Sequence, residues 1–106
     1  MVTEPGAGHA VNEPHCILAV EVTRRCIEDG IPGSPYHCPV TLAVGANTAG
    51  VVCTGNEQLT IAFDNGTAVY NLPRTAQQFV ERFDDGQPVH PITFKARMLS
   101  WREARP

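Results

Sequence analysis

No run of apolar residues approaches the ~18 that a membrane-spanning helix requires, since the stretch from Cys16 to Val20 is cut by Glu21 and that from Pro39 to Val44 by Gly45. A helical membrane span is therefore not expected. Positive charge is also scarce: eight Lys and Arg stand against eleven Asp and Glu, for a net charge of -3. That balance disfavours a general nucleic-acid binder, which needs cations in excess to displace phosphate counterions. Residues 1–14 lack the basic start and apolar middle of a secretory signal, so a cytoplasmic location is the expectation. None of Cys16, Cys26, Cys38 and Cys53 forms the two-residue-gap pair of zinc ribbons and fingers. Without an export signal, free thiols are expected rather than disulfides. Glycine-rich phosphate loops and a nucleophile elbow are missing too, as is any internal repeat, and no cofactor is implied.

What is present is enough for one compact domain. A chain of 106 residues has room for a single hydrophobic core, and 42% hydrophobic content suits a packed protein. Nine glycines and nine prolines promise many turns. Residues 1–14 show no periodicity and read as a flexible tail; 15–99 read as the domain and 100–106 as a second tail. The β-branched run Cys16 to Val22 reads as an interior strand with both faces covered. Thr23 then caps a short helix by accepting from the Cys26 amide, with Val22 and Ile27 spaced as a hydrophobic staple, and Gly30 ends it. The segment from Ile31 to His37 is all turn residues. Cys38 followed by Pro39 marks a second helix start, because proline at the first helical position forgoes an amide that has no partner there.

Three strands follow, Val51 to Thr54, Gln58 to Phe63 and Thr67 to Leu72, with turns at Gly55-Asn56 and Asn65-Gly66. They predict an antiparallel meander. Pro73 opens the clearest helix, in which Ala76, Phe79, Val80 and Phe83 make one apolar stripe, and Gly86 stops it. Alternation of Ile92, Phe94, Ala96 and Met98 against Thr93, Lys95 and Arg97 predicts a last strand. The order specifies an α+β fold: an antiparallel-dominated sheet of about five strands with helices packed on one face.

Val22-Thr23 followed by Ile27 and Gly30, the Cys38-Pro39-Val40 helix start, and above all the segment LPRTAQQFVERFDDGQPVHPITF resemble a group of small uncharacterised proteins of actinobacterial phages. The resemblance covers roughly Val20 to Phe94. It implies a cytoplasmic accessory protein acting on host machinery or defence. The matched positions are helix starts, stops and core residues, so no functional residue follows from it.

Several side chains could carry chemistry. Cys38 sits where helix amides favour a thiolate, with His37 beside it as a proton acceptor, which would suit a thiol enzyme; the competing reading is a small buried cap. His15, Cys16, Cys26, Cys53, His9 and His90 would have to join that pair to hold a metal, and their spacing predicts none. Arg24 and Arg25, in the first turn of the short helix, could bind an anionic ligand together with the Pro32 to Pro35 loop. Glu81, Asp84 and Asp85 crowd the end of the long helix that disfavours negative charge, and could meet a basic partner. Lys95, Arg97, Arg102 and Arg105 surround Trp101, which could stack on a base, contact a partner or close the core. The leading expectation is a non-enzymatic accessory protein that binds a host macromolecule, such as a host protein, or a small signalling molecule through its loop-rich face. A thiol- or metal-assisted enzyme on Cys38 and His37 and a nucleic-acid regulator using the C-terminal segment are the alternatives. An uncovered sheet edge would also suit a homodimer.

Overall fold

The computed structural model describes residues 15–104, so the expected tail over 1–14, His9 and Arg105 lie outside the described residues. Among the described residues, five strands and three helices follow one another along the chain: β1 (Ile17–Val22), α1 (Arg24–Asp29), α2 (Pro39–Gly45), β2 (Val51–Thr54), β3 (Gln58–Phe63), β4 (Gly66–Asn71), α3 (Arg74–Asp84) and β5 (Ile92–Glu103). All pairings are antiparallel, in the order β1-β5-β4-β3-β2. The fold is α+β, and the meander β2-β3-β4 forms as the turn signals predict.

The helix starts follow from local chemistry. Thr23 takes the cap of α1, its hydroxyl accepting from the Cys26 amide at 3.2 Å. Cys38 caps α2 with Pro39 as first helical residue. The α3 stripe packs as its period requires, with Ala76, Phe79, Val80 and Phe83 all buried. Ala76, Phe79 and Val80 join the core of the inner sheet face, where Leu59, Ile61, Ala68 and Tyr70 are almost wholly removed from water. Full burial of a side chain such as Leu59 contributes about 2 kcal/mol. The short helix α2 is apolar nearly all round and packs on both β1 and β2, the two margins of the sheet, which therefore curls around it.

Three expectations are corrected. First, β1 is an edge strand rather than an interior one: Val20 and Val22 are buried, whereas Ile17, Ala19 and Glu21 are exposed. A continuous apolar run cannot distinguish a doubly covered strand from one that carries Ile and Ala on an open face. Second, the β3–β4 loop is Asp64-Asn65, with Phe63 paired to Gly66, so β4 begins one residue earlier than predicted. No described residue other than glycine has positive φ, which excludes the type I′ turn. Gly66 is needed for space instead: a Cβ there would lie 2.5 Å from the Trp101 ring and 2.6 Å from the Arg102 carbonyl oxygen. Third, Ser100 to Glu103 are strand rather than tail, because β5 continues along β4 after a bulge opposite Val69 and Tyr70.

Candidate functional site

The helices cover one face of the sheet and leave the other to solvent. Strand alternation sends Lys95, Arg97 and Arg102 of β5 to the open face. In register, Arg97 lies between Ile17 and Asn71, and Arg102 is followed across the sheet by Thr67, Ala62 and Val51. Between them runs the row Ser100, Val69, Thr60 and Cys53. Ile17, Val51 and Leu99 are three of the five exposed large hydrophobic residues, at 48%, 62% and 52%. The face thus combines a cationic strand with small polar and aliphatic neighbours. Glu21, at the far corner beside Thr93, is its one acidic strand residue. The ion pair found among the described residues is Arg25–Asp29, so Lys95, Arg97 and Arg102 have no acidic partner there.

Trp101 takes no part in this surface. It stands on the inner face opposite Ala68, half-buried, with its ring centroid 6.2 Å from that of Phe63. Of its candidate roles the structure gives it core closure, and the basic strand is left without an aromatic stacking platform.

Cys38 is 3% exposed and belongs to the core. Its Sγ accepts from the Thr41 amide at 3.5 Å and lies 3.4 Å from the Thr41 hydroxyl. His37 turns away: its Nδ1 is 3.0 Å from the Ser34 hydroxyl, within the exposed loop. The structure thus does not join the two as nucleophile and base. A polar junction missed by sequence reasoning lies beneath them. Thr41, 6% exposed, bonds the Pro35 carbonyl at 2.5 Å and the Thr54 hydroxyl at 2.7 Å. The Thr41 hydroxyl is the donor towards both, so the Pro35 carbonyl and the Thr54 hydroxyl share its one proton. The Thr54 amide also donates to Pro35, at 3.0 Å, tying the loop before α2 along β2.

Glu81, Asp84 and Asp85 line an open groove of about 520 Å³ with Glu57 and Arg74. Asp84 accepts from the Gly33 amide at 2.9 Å, which gives this carboxylate at the unfavourable helix end a structural partner and pins the loop to α3. Arg24 and Arg25 are not brought to that loop: Arg25 pairs with Asp29 at 3.3 Å in solvent, and Arg24 lines a shallow groove with Glu21 and Thr93. Among the described residues no three His, Cys, Asp or Glu side chains converge as metal ligands. The phenol of Tyr70, fully buried, donates to the His15 carbonyl at 2.7 Å, and burial pushes its pKa above the usual value.

No helix among the described residues is long and apolar enough to cross a membrane. Comparison with protein-family models, with curated proteins and with solved structures finds no match to this chain. The fold and the surface define a small α+β domain with a curled sheet, covered on one face and open on the other.

Proposed function

We propose that the protein is a non-enzymatic binding protein that docks the open face of its sheet on an acidic patch of a host protein, acting in the cytoplasm as a phage accessory protein. The observation that carries this reading is the alignment of Lys95, Arg97 and Arg102 on one strand, without acidic partners, among the exposed Ile17, Leu99 and Val51. Aliphatic contacts ringed by unpaired charge suit a protein surface of opposite sign. A nucleic-acid single strand is the poorer fit, because Trp101, Phe63, Phe94 and Tyr70 all belong to the core side.

The test compares the protein with a Lys95→Glu/Arg97→Glu/Arg102→Glu variant as bait in an actinobacterial lysate, with the captured partner then purified and titrated. Loss of three exposed charge contacts predicts a penalty of about 1–3 kcal/mol, roughly 5- to 150-fold in Kd, growing as salt is lowered. A partner held equally by both baits would refute the assignment. So would tighter, steeply salt-dependent binding of RNA or DNA.

A further inference from the structure

We propose that β1 pairs with β1 of a second copy of the chain, joining two sheets edge to edge. The proposal is independent of the host partner argued above. The fold treats its two sheet margins differently. At β2 the margin is four residues long, and the preceding loop lies against it through the Thr54 amide and the Pro35 carbonyl. At β1 it is six residues long, with neither proline nor lysine and with unbroken pairing to β5. Proline, lysine and a bulge, three usual means of blunting an edge, are thus missing from β1, where Ile17 is exposed and Glu21 is the one charge.

Backbone phase then decides the register. The Cys16 carbonyl accepts from the Met98 amide at 2.7 Å, so the amides and carbonyls of Leu18, Val20 and Val22 face β5. Those of Ile17, Ala19 and Glu21 point away from it, and no described group bonds to them. Two antiparallel copies related by a two-fold axis must match like faces, which sets Ala19 opposite Ala19, Ile17 opposite Glu21 and Leu18 opposite Val20. In this register every outward amide and carbonyl of Ile17, Ala19 and Glu21 finds a partner. A slip of two residues either way carries one outward residue past the end of the opposing strand.

Charge supports the same register. Glu21 is the one ionised residue of β1, and opposite it stands the second copy's Ile17, with the unpaired Arg97 on the next strand. At the axis, where like charges would repel, there are two alanines.

Sedimentation equilibrium of the full chain up to ~100 µM provides the test, since weak homodimers fill in that range. The expected species has twice the 11.5 kDa chain mass. Ala19→Pro removes an outward amide that makes no bond within the chain, and Ala19→Glu sets two carboxylates against each other at the axis. Both should shift the equilibrium to monomer by at least tenfold in Kd, with unchanged circular dichroism for Ala19→Glu. A wild-type monomer at every concentration overturns the proposal, as does a dimer that Ala19→Glu leaves intact.

Discussion

Replacing Thr41 by valine keeps the shape of the side chain and removes the hydroxyl on which Pro35 and Thr54 converge. The Pro35 carbonyl loses one bond but keeps the Thr54 amide at 3.0 Å, so that loss costs about 1 kcal/mol. The Thr54 hydroxyl, 4% exposed, loses its partner and is left buried without one, which costs a further 1–3 kcal/mol or so. Thr41→Val should therefore lower stability by about 2–4 kcal/mol. Thr54→Val alone should cost only about 1 kcal/mol, because Thr41 still donates to Pro35. The double variant has no orphaned hydroxyl at position 54, and its loss should fall to about 2 kcal/mol, below the sum of the singles. Urea unfolding followed by Trp101 fluorescence and circular dichroism measures all four proteins. Additive losses in the double variant would refute the coupling of the two hydroxyls through this junction.

Two further predictions rest on single contacts. Gly66→Ala drives a Cβ into the Trp101 ring and the Arg102 carbonyl, so stability should fall by about 1–3 kcal/mol with a change in Trp101 fluorescence; an unchanged urea midpoint would contradict that packing. Tyr70 stays protonated in the folded state to higher pH than in the unfolded chain, so its contribution is intact below pH ~10 and declines as pH rises towards the folded pKa, by at most about 1.4 kcal/mol per pH unit. In a Tyr36→Phe background, alkaline absorbance titration should show Tyr70 ionising later in the native protein than in urea, and coincident curves would exclude the effect.

Much of the fold is legible in the order of residues because the responsible signals are local. Thr23 with Cys26, Cys38 with Pro39, and the stripe from Ala76 to Phe83 each declare themselves within two helical turns. The end of β5 is not legible: the bulge at Leu99 breaks the alternation, and the following polar residues read as a tail. The basic surface was visible as composition and hidden as geometry. Only the pairing of β5 to β4 turns Arg102 onto the same face as Lys95 and Arg97. The Thr41–Thr54 junction joins two ordinary polar residues thirteen positions apart, and nothing in either neighbourhood announces the other.

The registers of β5 also set an order of assembly. Its first half pairs with β1 and its second with β4, and Arg97 is the one residue paired on both sides, with Ile17 and Asn71. The meander can zip from its turns as soon as it is made, since its partners are close in sequence. Strand β1 is synthesised first among the strands and must wait seventy to eighty residues for its neighbour, from Val22 with Ile92 to Ile17 with Arg97. During translation it is thus an apolar strand with no sheet to join, and the last strand of the sheet to emerge both extends the meander and retrieves the first.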